Sequence, residues 1–333
     1  MDRRTALKTM LTTASGLLLP KSVLAQTLTE QTYFGWDYDQ RSLAEFIERN
    51  DKPFVTQQNV AIKGTGKGKK AFLHLALEKA SGRKYRPHRQ GTTDCVSCAA
   101  GLSVDILSAV QIITKRQPQQ WLYEAATEPI HGGSRVEIGG TNGKGAGSRG
   151  HWAAEWVNRY GILLRKEYPG GYDFSTYSAK KAVSYGRKGC PDPLEPLAKL
   201  HPVKKTAICR SYDELRDCLF NGHPVIVCSN VGFGDKNRRC KRDREGFLTR
   251  KRSPWYHAML FAGYDDSYRR PGALCFNSWG HNWIYGPTRG YQPGSTFWVD
   301  ASTVTSMLRQ GDSFAFSAYV GLPRVNIPPY ILR

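Results

Sequence analysis

Hydrophobic spacing divides this chain into a helical first part and a strand-rich second part. From Cys95 onward, Cys98, Leu102, Ile106, Ala109 and Ile113 recur at helical intervals, which predicts a long buried helix opening at that cysteine. Shorter runs predict helices over 42–48, 72–80, 151–160 and 212–220, with Ser81-Gly82 and Gly161 as stops. Beyond Pro191, β-rich runs at 206–211, 224–229, 256–263, 273–278, 296–299 and 313–320 read as strands. The glycine-rich stretch 134–149 reads as loop, and no internal repeat is visible. Helices gathered first and strands second predict an α+β chain of two lobes.

The expected organisation is an N-terminal extension at 26–84, a helix-rich lobe at 85–205 and a β-rich lobe at 206–333, behind a leader at 1–25. The leader carries Arg3-Arg4, a modest apolar core at 10–19 and Val23-Leu24-Ala25, the pattern of an export signal of the twin-arginine kind. Its core is too short to cross a bilayer, and no later segment reads as spanning. The expected location is therefore periplasmic or extracellular.

A composition of 40% hydrophobic and 23% charged residues excludes a disordered chain. The net charge of +20 is concentrated at 63–70, 83–89 and 236–252. The last run precedes His257 and is expected to rim a cleft, where it would attract an anionic envelope polymer. A solvated basic surface is the other reading, and no nucleic-acid motif is present. Of eight cysteines, Cys209, Cys218, Cys228 and Cys275 lie in apolar runs and read as buried, while Cys190 and Cys240 sit in loops, open to pairing. Cys95-x-x-Cys98 has neither a second cysteine pair nor a His-x-x-x-His partner, and the glycine-lysine stretches at 64 and 139 miss the phosphate-loop pattern. No metal or cofactor is expected.

The chemistry-bearing residues converge elsewhere. A thiol reacts as thiolate, and a helix N-terminus with a neighbouring imidazole favours that form. Cys95 opens its helix after Asp94, a candidate cap. His257 lies in an apolar strand, where an unpartnered imidazole is costly. Asn277 is placed to hold the far ring nitrogen, Trp279 to cover that bond, and Gln90 to aim an amide at a developing oxyanion.

Gln90, Cys95, His257-Ala258 and Asn277-Ser278-Trp279-Gly280 together resemble the papain-like cysteine peptidase superfamily. Trp152-Ala153-Ala154, Tyr160-Gly161-Ile162 and Glu167-Tyr168-Pro169 extend the resemblance, which spans roughly 85–320. It implies a helical lobe packed against a β-barrel-like antiparallel lobe, and hydrolysis of peptide or related amide bonds through an acyl-thioester. Catalytic positions would be Cys95, His257, Asn277 and Gln90; substrate-binding positions would be Gly147, Gly150, Trp279 and His281. The partner implied is a peptide or protein substrate.

Departures keep alternatives open. Val96 stands where the family has tryptophan, and Gln90 is one residue nearer Cys95 than in the family. The family's disulfide near the nucleophile has no evident partner at 143–150, and no full inhibitory prosegment is evident at 26–89. From Cys95 to His257 there are 162 positions, against the usual ~130–150, an excess that the basic insertion at 236–252 accounts for. Cys98 is the rival nucleophile; Asp105, ten residues beyond Cys95, favours Cys95. The alternative function is a papain-fold binding or structural protein of the envelope or of phage origin, with catalysis weak or lost.

Overall fold

The computed structural model describes residues 33–332 except 59, 118–121, 123, 202, 235–238 and 252; the export-signal reading lies outside them. Helix α1 spans Gln40–Arg49, its first turn closed by the Asp39 side chain accepting from the Ser42 amide. Strand β1 (Lys70–Phe72) is followed by α2 (His74–Ser81), so the expected helix at 72–80 gives Phe72 to a strand and starts after Leu73. Helix α3 (Cys95–Ile113) begins where the spacing predicts. By length and composition it suffices to cross a membrane, contrary to the sequence expectation, but 72% of its 18-residue apolar window is buried within the protein.

Helix α4 (Thr127–Gly133) runs into a π-helical turn at Ser134–Ile138, where loop is expected. Helices α5 (Gly150–Arg159) and α6 (Ala179–Lys188) complete this lobe. Gly133 lets Trp156 of α5 close on α4; a Cβ there would lie 2.2 Å from the indole.

The second lobe is built on one antiparallel sheet. Its strands are β2 (Lys205–Ile208), β3 (Val225–Ser229), β4 (His257–Asp265), β5 (Gly272–Phe276), β6 (Phe297–Asp300) and β7 (Phe314–Ser317), with α7 (Tyr212–Phe220) and α8 (Ala301–Leu308) alongside. The order is β6-β5-β4-β3-β7-β2, with β1 also paired to β4. Every residue of β4 and β5 is buried, which explains their continuous apolar runs. Register pairs Ser229 with His257 and Leu260 with Phe276, bringing the start of β4 beside the residue after β5.

No disulfide joins the eight cysteines, all of which are buried, so Cys190 and Cys240 do not pair. Two arginines hold loops instead. Arg242, 5% exposed, donates to the carbonyls of Gly286, Pro287, Gly294 and Thr296. Arg135 makes a comparable set of bonds in the helical lobe. The run 236–252 is therefore no uniform basic rim: Arg242 is interior, and Asp243 and Glu245 pair with Arg270 and Arg269.

Candidate active site

Helix α3 points its first residue at the start of β4: the Ala258 amide donates to Cys95 Sγ at 3.4 Å. The neighbouring His257 donates through Nε2 to Asn277 Oδ1 at 2.8 Å, while its Nδ1 has no hydrogen-bond partner. Trp279 stacks on the imidazole at 4.6 Å and 28°, shielding the His257–Asn277 bond from water. Asn277 Oδ1 also takes the Ser278 amide at 2.7 Å, which fixes the side-chain orientation. Cysteine, histidine, asparagine and tryptophan are thus brought together from three separated stretches of chain.

Gln90 joins this group through Ser278. Its backbone amide donates to the Ser278 carbonyl at 2.8 Å, and its Oε1 accepts from the Ser278 hydroxyl at 2.5 Å. Its Nε2 donates to Thr92 O at 2.8 Å and to Tyr33 O at 3.4 Å. Asp94 precedes the helix but does not cap it; its Oδ2 accepts from Tyr177 and its Oδ1 is unpartnered. Burial pushes the Asp94 carboxyl up to about 7. Cys98 lies one turn on, lining a cavity of about 680 Å³ with His88, Asp105 and Met259.

Sequence reading missed what covers the site. Residues 33–37 run as a strap between the lobes. The Trp36 amide donates to Tyr256 O at 3.1 Å on one side. On the other, Ser148 donates to Gly35 O at 2.8 Å and accepts from the Asp37 amide at 2.9 Å. Phe34 packs edge-on against His257 and Trp279, with centroids 5.9 and 5.6 Å away. The Tyr33 carbonyl accepts from Trp279 Nε1 at 3.2 Å as well as from Gln90. Trp36 Nε1 reaches the buried Asp312 carboxylate at 2.8 Å, and Asp312 is also held by His151 Nδ1, whose Nε2 meets Ser42 Oγ. The strap is therefore latched at both ends. The clue lay in Tyr33-Phe34-Gly35-Trp36, an aromatic cluster with no helical or strand period.

Under this cover Cys95 and His257 are both 0% exposed. Burial drives the Cys95 thiol up to about 12 and the His257 imidazole down to about 4. In the covered state both groups are neutral near pH 7, so the expected thiolate–imidazolium pair is not formed here.

Of the positions read as substrate-binding, Gly147 borders the strap: a Cβ on it would lie 2.6 Å from Gly35 O. Trp279 is in the cluster. Gly150 is not available to a ligand, because its amide donates to Asp312 Oδ2 at 2.7 Å and it is buried at the start of α5. His281 lies exposed beyond the Trp279-Gly280 turn.

No family model and no curated protein matches this sequence. Solved structures do match. Xylellain, a cysteine protease from Xylella fastidiosa, aligns with TM-score 0.58 and 18% identity over 86% of this chain and 96% of that one. The fold is papain-like. The ragweed cysteine protease Amb a 11 in its proform gives TM-score 0.49 and 15% identity, covering 85% of this chain and 73% of that one. Digestive procathepsin L 3 of Tenebrio molitor larval midgut gives 0.49 and 12%, covering 89% and 87%. In this papain-like fold α3 belongs to the helical lobe and β4 to the sheet lobe, so Cys95 meets the start of β4, at Ala258 next to His257, where the two face each other.

Proposed function

We propose that this chain is an exported cysteine peptidase of the cell envelope, held latent by its own residues 33–37. The observation that carries the reading is the contact of Cys95 Sγ with the Ala258 amide, beside a histidine bound to Asn277 through Nε2 and open at Nδ1. Once the strap leaves, water re-enters, the cost of charging both groups falls, and proton transfer from Cys95 to His257 becomes favourable. The thiolate attacks the scissile carbonyl carbon. The Cys95 amide and the Gln90 Nε2–H that departure of Tyr33 frees stabilise the oxyanion, and His257 passes its proton to the departing amine. Water then hydrolyses the thioester and regenerates the thiol. The strap's bonds to Ser148 and Tyr256 support an extended peptide as the substrate class, since they lay main chain along both walls.

A second reading, a papain-fold binding protein without turnover, is favoured by one observation: both reactive groups are wholly covered and neutral. The discriminating experiment uses full-length protein and a Gly35→Ala variant, labelled with iodoacetamide or an epoxide warhead and screened against a peptide library, with Cys95→Ala as control. Fast labelling of Cys95 in the variant, with peptide turnover, supports the peptidase. Equal and slow labelling of all eight thiols overturns it.

The exposed cations Lys241, Arg244, Arg250 and Lys251 support docking to an anionic envelope polymer.

A further inference from the structure

We infer that Arg135 is the positioning residue that shapes the peptide-docking edge of the cleft, an assignment that rests on the peptidase reading above. The residue is only 2% exposed, yet no carboxylate forms an ion pair with it among the described residues. Its donors go to carbonyls. Nε donates to Gly186 O at 2.7 Å, one terminal nitrogen to Gly147 O, and the other to Lys144 O at 2.8 Å and Gly145 O at 2.9 Å. Gly186 lies in the last turn of α6, whose terminal carbonyls have no partner within the helix and favour a cation.

Inside the segment it holds, the Lys144 amide donates to Thr141 O at 2.9 Å, and the carbonyls beyond that turn look outward for donors. Asn142, Gly143 and Gly145 have φ of 46°, 78° and 72°, a left-handed path, and the glycines have no side chains to pack. Arg135 fixes the carbonyls of 144, 145 and 147, and Thr93 Oγ1 fixes that of Ala146 at 2.6 Å. Next comes Ser148, whose hydroxyl is tied to Ser134 Oγ at 2.8 Å. Its backbone N–H and C=O face the strap and are taken by Gly35 and Asp37. With every preceding carbonyl turned inward, Ser148 is the residue left to offer a donor and an acceptor to an extended chain. Arg135 thus sets the geometry of a docking edge that strap and substrate use in turn.

Lysine cannot substitute. Its single ammonium has three donors on one nitrogen and no planar fork, so it cannot span carbonyls on both the loop and α6. The position of Arg135 on the π-helical turn is part of the device, because that turn carries it between α6 and the loop.

The test uses full-length protein carrying Arg135→Lys or Arg135→Gln, with folding checked by circular dichroism. First, amide hydrogen exchange at Ser148 and over 33–37 is expected to accelerate about tenfold or more, and iodoacetamide labelling of Cys95 to rise with it, as the strap loses its edge. Second, in a Gly35→Ala background, KM for an extended peptide is expected to rise roughly tenfold with kcat within about twofold, while Cys95 alkylation by iodoacetamide stays unchanged. Added guanidinium at millimolar concentration should lower KM again in Arg135→Gln. Unchanged exchange and unchanged KM in Arg135→Lys overturn the assignment. So does a parallel loss of kcat, alkylation and fold that guanidinium does not relieve. If Gly35→Ala neither turns over peptide nor labels Cys95 selectively, the peptidase reading fails, and the exchange arm alone then decides whether Arg135 sets the Ser148 edge.

Discussion

Gly35 lies so close over Thr93 that a Cβ placed on it would sit 2.0 Å from the Thr93 carbonyl oxygen. Only a residue without a side chain lets the strap settle onto the loop that leads into α3. Gly35→Ala should therefore disfavour the closed strap by about 1–3 kcal/mol. That corresponds to a roughly five- to hundredfold faster alkylation of Cys95, read by mass spectrometry. An unchanged rate would mean that the strap does not gate the thiol.

In that opened background, Cys95→Ala should abolish peptide turnover and leave the fold intact. His257→Ala should lower kcat by roughly 10²–10⁴-fold, the usual contribution of a positioned acid–base group. Asn277→Ala should weaken turnover less, since Asn277 orients the ring through a 2.8 Å bond and does not react. Turnover retained in Cys95→Ala and lost in Cys98→Ala would transfer the nucleophile to Cys98.

Acid should loosen the molecule. The folded-state pKa of His257, about 4, is below its ordinary 6.5, so its neutral form contributes stability that is fully present above 6.5 and lost as pH falls through about 4. This one group accounts for roughly 3 kcal/mol over that window. His74, His88 and His223, also near 4, act in the same sense. Asp94, raised from 3.8 to about 7, acts oppositely: its contribution is complete below 3.8 and lost as pH rises through 7. Urea midpoints measured from pH 7.5 down to 4 should fall, with a shallower slope in His257→Gln. A flat profile would contradict the buried neutral imidazole.

The basic run 236–252 separates into two roles. Replacing exposed Lys241, Arg244, Arg250 and Lys251 by glutamine should reduce the salt dependence of binding to an anionic polymer, with hydrolysis of a small neutral peptide unaltered. Arg242→Gln should instead destabilise the fold by more than about 2 kcal/mol, because it leaves carbonyls at 286, 287, 294 and 296 short of donors. A large loss of small-peptide hydrolysis in the fourfold variant would make the exposed cations part of the site.

Much of this was legible in the residues because the site is built on regular elements. The α3 spacing located Cys95 at a helix start, and the apolar run of β4 placed His257 in a strand. Helix α6 is hard to read in the sequence because the residues it buries, Ala182 and Gly186, are small and sit among lysines and arginines. The strap left no period either, since its bonds are main-chain bonds to Ser148 and Tyr256 that depend on distant partners. The surroundings of Gly150 are hidden for a similar reason: its amide is used by Asp312, 162 positions away.

Interior thiols bear on what holds this protein together. All eight cysteine sulfurs lie inside the packed molecule and none is cross-linked. The packing of the two lobes thus holds the fold without a sulfur cross-link.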